Sequence, residues 1–101
     1  TIPTIIGDLI NLETLDLSIN RLTGPIPNQL GNLPNLKKII FYSNGLTGHI
    51  PWHLGNLDKL EVLYVEGNDL TGSVEPNICD LMKKKINQNT QNIKIQKFNL
   101  V

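Results

Sequence analysis

Two histidines and a cysteine are the side chains of this sequence whose types could support metal binding or nucleophilic chemistry. His49 and His53 stand four residues apart, a spacing that can hold zinc between two imidazoles on one face of a helix. Pro51 lies between them and the sequence offers no third ligand, so we expect no metal site. Cys79 has no histidine and acid partner set nearby, and such a cysteine is more typical of a small buried residue than of a nucleophile.

Motifs that hold cofactors or reacting groups are also missing from the sequence. It contains no glycine-rich phosphate loop and no pattern of a catalytic triad. Its glycines recur at a fixed interval instead, which indicates a structural role for them. The sequence therefore predicts a protein that is not an enzyme and takes no cofactor.

Charge and hydropathy restrict the class of partner. Residues 1–82 contain nine acidic and four basic residues, whereas residues 83–101 contain five lysines and no acid. An acidic main part offers no face for a nucleic acid. The sequence has no run of about 18 apolar residues, so we expect no direct insertion of this segment into a membrane.

The dominant feature of the sequence is a repeat with a period of 24 residues. Equivalent positions are Leu12, Leu36 and Leu60; Leu15, Ile39 and Leu63; Leu17, Phe41 and Val65; Asn20, Asn44 and Asn68; Leu22, Leu46 and Leu70; and Gly24, Gly48 and Gly72. A fixed period of this length indicates a solenoid, in which each coil buries its apolar residues by stacking on its neighbours. Solenoids present an extended face to a partner.

Each repeat begins with a short strand and ends with a return on the opposite side. Alternation of apolar and polar residues predicts parallel strands at Thr14–Ser18, Lys38–Tyr42 and Val62–Glu66. The asparagines that follow can bind backbone groups of their own and neighbouring coils, so we expect an internal amide ladder of Asn20, Asn44 and Asn68. Leu30 and Leu33 are expected to pack a short 3₁₀ or helical turn.

The segments LETLDLSINRLTGPIPNQLGNL and LKKIIFYSNGLTGHIPWHLGNL carry the motif L-x-x-L-x-L-x-x-N-x-L-x-G-x-I-P-x-x-L-G-x-L nearly throughout. In this motif, over about residues 1–81, the sequence resembles plant-type leucine-rich repeat proteins. The resemblance implies a right-handed, β-dominated α/β solenoid. It places a parallel sheet on the concave side, a second short sheet near the LTGxIP turns and short 3₁₀ or helical returns on the convex side.

The same resemblance implies a function. Repeats of this type form the ectodomains of receptor-like kinases and receptor-like proteins, which implies an extracellular or cell-surface location. We therefore expect a non-enzymatic module that binds a protein or peptide. Two alternatives remain open: a structural or scaffolding repeat with no ligand of its own, and an ectodomain piece of a receptor kinase whose catalytic domain lies outside this sequence.

Outward positions on the three strands are the candidate ligand contacts, because inward positions are constrained to be apolar. They are Thr14, Asp16, Ser18, Lys38, Ile40, Tyr42, Val62, Tyr64 and Glu66. Ile40, Tyr42 and Tyr64 stand out, since exposed aromatic residues supply large contact area and are enriched at interfaces. The alternative is a solvated face without a ligand.

Two further columns recur beside these positions. Glu13, Lys37 and Glu61 alternate in charge across adjacent strands, and we expect them to support the sheet. Thr23, Thr47 and Thr71 form a threonine ladder at the repeat spacing. A flat threonine array would suit an ice-binding surface, but these threonines also belong to the LTG consensus, so we expect a structural role.

The repeat divides the chain into half a coil at residues 1–11, full coils at 12–35 and 36–59, and a third at 60–82. Residues 83–101 are basic, and they form either a degenerate cap with a fourth strand at Ile93–Ile95 or a disordered tail. No cap precedes the first coil, so we expect its leucines to face water and to favour end-to-end association.

Overall fold

The computed structural model describes residues 1–71, which form stacked coils of short elements. In chain order these are the 3₁₀ helix η1 (Thr4–Asp8), strands β1 (Thr14–Asp16) and β2 (Thr23–Pro25), η2 (Asn28–Asn32), β3 (Lys38–Ile40), β4 (Gly45–Gly48), η3 (Trp52–Asn56), β5 (Val62–Tyr64) and β6 (Asp69–Leu70). The return segments are 3₁₀ helices throughout this part, with no α-helix. The predicted cap at Ile93–Ile95 and the predicted role of Cys79 lie outside the described residues.

The first sheet has the strand order β1-β3-β5 and is parallel, as the sequence predicted. Its paired residues are repeat equivalents, since Thr14 pairs with Lys38 and Lys38 with Val62. The regular strands are shorter than predicted, but hydrogen bonds continue beyond them: the N–H of Ser43 donates to the carbonyl of Glu66 at 3.0 Å. Each repeat position therefore forms a straight row across the sheet.

The second sheet, β2-β4-β6, is also parallel but is paired in a different register. Thr23 pairs with Gly45 and Pro25 with Thr47, so paired residue numbers differ by 22 rather than by the repeat length of 24. Each strand is thus displaced by two residues along its neighbour. Repeat-equivalent residues in this sheet lie diagonally and not side by side.

The inward apolar residues of all coils join in one core. It includes Ile26, Leu30, Leu33, Leu36, Ile39, Phe41, Leu46, Leu54, Leu60, Leu63, Val65 and Leu70. Burying each such side chain stabilises the fold by about 1.5–3 kcal/mol relative to exposure. The N-terminal half-coil does not complete this core, because Leu9 is 54% exposed whereas its equivalent Leu33 is fully buried.

The asparagine ladder takes the predicted form. The Oδ1 of Asn44 accepts the N–H groups of Asn20 and Leu22, both at 3.0 Å, and its Nδ2 donates to the carbonyls of Leu17 at 2.9 Å and Phe41 at 3.0 Å. One side chain thus satisfies backbone groups from two coils at the turn where the chain leaves the first sheet. The ladder fixes the spacing of the coils at that turn.

Glycine permits close stacking of the coils on the opposite side. A Cβ atom added at Gly31 in η2 would lie 2.6 Å from the carbonyl oxygen of His53 in η3. At Gly7 in η1 it would lie 2.8 Å from the Cβ of Gln29. Because real Cβ atoms do not approach so closely, the repeat glycine allows the 3₁₀ helices to stack at the distance that the strands set.

Candidate ligand-binding face

The solvent-facing side of the first sheet, here called the front face, carries three rows of side chains. They are row 1 (Thr14, Lys38, Val62), row 2 (Asp16, Ile40, Tyr64) and row 3 (Ser18, Tyr42, Glu66). Neighbouring strands are about 4.8 Å apart and successive rows about 6.6 Å apart. The straight register of this sheet therefore brings the predicted contact residues together on one face.

Val62 departs from the prediction that all nine positions are open to a ligand. It is only 7% exposed, although Thr14 and Lys38 in the same row are exposed. Its side chain is apolar, and removing apolar surface from water is favourable. Strand alternation predicts on which side of the sheet a side chain lies, but not whether other residues cover that side chain. The sequence therefore could not exclude Val62 from the candidate contacts.

An apolar patch occupies the centre of the front face. Ile40 of β3 pairs directly with Tyr64 of β5, and Tyr42 follows Ile40 one row further along the chain. All three side chains are half-buried, so they are held by their neighbours while presenting apolar surface to solvent. We define Ile40, Tyr42 and Tyr64 as the apolar patch.

A fixed carboxylate lies beside the patch. The Oδ1 of Asp16 accepts the Ser18 hydroxyl at 2.7 Å and the Ser18 backbone N–H at 3.1 Å. These two hydrogen bonds lower the pKa of Asp16 below its ordinary value because they stabilise the ionised carboxylate, and the bond from the Ser18 hydroxyl has the larger effect. Asp16 is therefore an oriented negative charge on row 2, in direct register with Ile40.

The charge column next to row 1 contains an opposite-charge contact between neighbouring coils. Lys37 forms an ion pair with Glu13 on the neighbouring strand, with 3.0 Å between Nζ and Oε1. The hydrogen bond and the charge of Glu13 raise the pKa of Lys37, and the charge of Glu61 adds to that effect. The charge of Lys37 is thus compensated within its own column.

A second concave region lies away from the front face, at the Ile-Pro turns. A groove of about 540 Å³ runs between the turns of successive coils, and its walls include Ile26, Pro27, Ile50 and Pro51. Trp52, which is 51% exposed, lies at the same groove. No sequence pattern indicated this groove, because it forms between coils and not within one.

The two histidines of the sequence also lie at this groove. His53 stacks on the indole of Trp52 with ring centroids 3.8 Å apart, and its Nδ1 is buried without a hydrogen-bond partner in the described structure. His49 is exposed. Residues 1–71 contain no group of three or more side chains placed to hold a metal ion.

The threonines of the LTG element are exposed but do not form the regular ladder that their sequence spacing predicted. Because the second sheet is shifted by two residues, Thr47 lies beside Pro25 and Asp69 rather than beside Thr23 and Thr71. The threonines follow a diagonal interrupted by other residue types. The sequence period could not reveal this, since it does not fix the register of backbone pairing.

Comparison with known proteins defines the class of this chain. Residues 7–70 match the leucine rich repeat family. The match covers more than half of the sequence, and the chain belongs to the leucine-rich repeat family. The solenoid, its parallel front sheet and its 3₁₀ returns agree with the fold that the plant-type repeat implied. No curated protein matches the sequence.

Solved structures extend the comparison. The plant peptide hormone receptor RGFR1, in complex with RGF2, is 35% identical with a TM-score of 0.85 over 99% of this chain. The BIR3–SERK2 complex from Arabidopsis thaliana gives 40% identity and a TM-score of 0.75 over 79% of this chain. A plant ice-binding protein gives 33% identity and a TM-score of 0.78 over 98%.

The chain spans only a small part of these relatives. It covers 15% of the RGFR1 chain, 43% of the chain matched in the BIR3–SERK2 complex and 30% of the ice-binding protein. In addition, residues 1–71 include no helix with the length and hydropathy needed to cross a bilayer.

Proposed function

We propose that this chain is a ligand-binding module of an extracellular, receptor-like protein and that its front face contacts a protein or peptide. The observation that carries the proposal is the apolar patch. Core and turn positions are dictated by the repeat, whereas front-face positions are not, yet Ile40, Tyr42 and Tyr64 present apolar surface there. Two structural relatives support it, since one is a peptide hormone receptor in complex with RGF2 and another is a BIR3–SERK2 complex.

The proposed role is binding and not catalysis. The described site offers an apolar surface and fixed charges. In a receptor kinase the catalytic domain would be a separate part of the protein, so a kinase-bearing and a kinase-less parent are both compatible with this module. A scaffolding repeat without a ligand is the alternative, and it predicts that front-face substitutions have no effect on any binding.

The dimensions of the front face indicate that it supplies part of a binding site. Three strands at about 4.8 Å span ~14 Å, and five residues along a strand span ~17 Å. The resulting area is on the order of 250 Å², against about 800 Å² per partner in a standard interface. We therefore expect weak binding by the isolated chain and tighter binding where further coils contribute.

Selection from a peptide library on the 101-residue chain tests the proposal. Selected peptides are titrated into the ¹⁵N-labelled chain and followed by NMR shift changes. We expect shifts along β1, β3 and β5, and loss of binding in a Tyr42→Ser/Tyr64→Ser variant. The matched control is Trp52→Ser, which removes an exposed aromatic residue away from the front face and should bind normally. Equal loss in both variants, or selection of no peptide, would contradict the proposal.

Ice binding is a second candidate function. The exposed threonines and the similarity to a plant ice-binding protein favour it. The two-residue displacement of the second sheet disfavours it, because repeat-equivalent threonines are not paired across that sheet. We therefore rank it below peptide or protein binding.

A further inference from the structure

Two carboxylates flank the apolar patch at opposite corners of the front face. Asp16 lies on β1 in row 2, in register with Ile40, and Glu66 lies on the third strand path in row 3, in register with Tyr42. Two strand spacings across and one row along separate their Cα atoms by about 12 Å. The patch lies between these two negative charges.

Both carboxylates are accessible to a ligand. The two hydrogen bonds from Ser18 fall on the Oδ1 of Asp16, which leaves Oδ2 on the exposed side chain to accept others. Glu66 is exposed, and its carboxylate has no hydrogen bond or ion pair within residues 1–71. A partner cation would thus meet one oriented and one adaptable acceptor.

Positive charge on the front face lies at one side. Lys38 in row 1 is the one basic residue of the three rows, and rows 2 and 3 contain none. Lys37 lies outside these rows and is already paired with Glu13. Residues 1–71 as a whole carry seven acidic and four basic residues. The charged side chains nearest the patch, Asp16 and Glu66, therefore favour a cationic ligand.

We propose that the front face binds a basic peptide in an extended conformation, with an apolar side chain over Ile40, Tyr42 and Tyr64 and basic side chains on Asp16 and Glu66. This inference rests on the proposed function and names the class of ligand. Arginine suits both acceptors, because its planar guanidinium binds carboxylates in a bidentate manner and stacks on tyrosine rings. A lone small cation could not span the patch.

The separation of the carboxylates defines the spacing in the ligand. An extended peptide rises about 3.3 Å per residue, so four residues cover ~13 Å. Side chains at positions i, i+2 and i+4 of such a peptide point to the same side. The complementary pattern is therefore basic-x-apolar-x-basic, with the apolar residue in the centre.

The probe is the synthetic peptide Ala-Arg-Ala-Phe-Ala-Arg-Ala, titrated into the ¹⁵N-labelled 101-residue chain. It has three controls: the same peptide with glutamate in place of both arginines, a peptide in which the two arginines are adjacent, and spermidine as a cation without a peptide backbone. We expect the probe to shift front-face resonances and to bind at least tenfold more tightly than each control. Equal affinity for the acidic peptide or for spermidine would overturn the inference.

Variants assign the contacts. Asp16→Asn and Glu66→Gln should each weaken binding of the probe about fivefold to tenfold, while Asp8→Asn, which neutralises an exposed carboxylate in η1 outside the three rows, should leave it unchanged. Amide exchange of each variant verifies that the fold is retained. Affinity that is unaffected by both carboxylate substitutions would overturn the inference, even if the fold is intact.

The proposed function can survive failure of this inference. One such outcome is the selection of neutral or acidic library peptides whose binding requires Tyr42 and Tyr64 but whose affinity is unchanged by Asp16→Asn. That outcome would support binding at the front face and would contradict the proposal of a basic ligand. Binding of no library peptide and no probe would reject both. Binding of the probe that is insensitive to Tyr42→Ser/Tyr64→Ser but lost in Trp52→Ser would place the site at the groove and would also reject both.

Discussion

Ile19 and Gly67 occupy the same position of the turn that follows the first-sheet strand, two repeats apart, and both have a left-handed backbone. Their φ angles are +56° and +70°, and Ser43 between them has +57°. Glycine adopts this conformation without steric cost, whereas for a β-branched residue it is strained. Ile19 is also 70% exposed, so burial does not compensate for the strain.

We predict that Ile19→Gly stabilises the chain. Left-handed backbone costs an L-residue about 1–2 kcal/mol, and the greater freedom of glycine in the unfolded chain offsets about 0.4–1 kcal/mol of the relief. The net expected gain is about 0.5–1 kcal/mol in the free energy of unfolding, measured by urea denaturation. Ile10→Gly is the matched control, since Ile10 is similarly exposed without a positive φ, and it should not stabilise. A loss of stability in Ile19→Gly would contradict the strain argument.

The asparagine ladder allows a comparison of equivalent residues at different depths. Asn68 is 6% exposed, and its side chain accepts the N–H of Leu46 at 3.0 Å and donates to the carbonyl of Phe41 at 2.9 Å. Leaving a buried backbone group unsatisfied costs about 1–3 kcal/mol. We predict that Asn68→Ala lowers the free energy of unfolding by about 2–4 kcal/mol.

The control for this substitution is Asn20→Ala at the exposed end of the ladder. Asn20 donates to the carbonyl of Ser18 at 2.9 Å, a group that water can reach after the substitution. Its expected cost is under about 1 kcal/mol. Equal losses in the two variants would show that burial of the ladder does not determine its contribution.

The period of the sequence was sufficient to predict those features that depend on repeat-equivalent residues lying side by side. The rows of the front face, the core positions such as Ile39 and Leu63, and the amide ladder all follow from a register of 24 in the first sheet. That register is set by the hydrophobic pattern, because one face of each strand is buried. For the same reason the candidate contact residues could be placed on one face in advance.

Other features depend on the path of the backbone and could not be predicted. The displacement of the second sheet pairs Thr47 with Pro25, although the repeat aligns it with Thr23. The groove beside Trp52 forms between turns of different coils. Burial of Val62 depends on what lies over its strand, and the alternating pattern contains no information about that.

The pKa of Asp16 can be tested directly. The Ser18 hydroxyl and N–H bind the ionised form, so the pKa in the folded chain lies below that in the unfolded chain. The stabilising contribution is therefore present above the unfolded pKa of about 3.9 and is lost as pH falls through the lower folded pKa. We predict that Ser18→Ala raises the pKa of Asp16 toward its ordinary value, measured by NMR titration of the side-chain carboxyl.

Thr14→Ala is the control for this titration, because Thr14 lies on the same strand face as Asp16 and forms no hydrogen bond with its carboxylate within residues 1–71. It should leave the pKa of Asp16 unchanged. If Ser18→Ala has no effect, the hydroxyl does not hold the carboxylate. Under the basic-peptide proposal, binding by the unsubstituted chain should also persist at mildly acidic pH, since Asp16 remains ionised there.

The exposed apolar side chains at the N-terminal end of the solenoid predict self-association of the 101-residue chain. Leu9, Ile10 and Leu12 line a shallow apolar depression, and Leu9 and Ile10 are largely exposed. Exposed apolar patches favour association because it removes them from water. We expect a mass that rises with concentration in analytical ultracentrifugation and a reduced rise in Leu9→Ser/Ile10→Ser. Trp52→Ser, which removes a different exposed apolar side chain, should associate like the unsubstituted chain.

The register of the second sheet predicts the result of an ice-binding assay. Binding to ice needs a flat, regular array of threonines, but Thr47 is flanked in this sheet by Pro25 on one strand and Asp69 on the other. We therefore expect no thermal hysteresis and no inhibition of ice recrystallisation by the chain beyond that of a control protein at equal concentration. Thr47→Val keeps the shape of the side chain and removes its hydroxyl, so it should behave identically. The opposite result would be thermal hysteresis that falls in Thr47→Val but is retained in Tyr42→Ser/Tyr64→Ser. It would show ice binding at the second sheet that does not depend on the front face, and ice binding would then rank above peptide or protein binding.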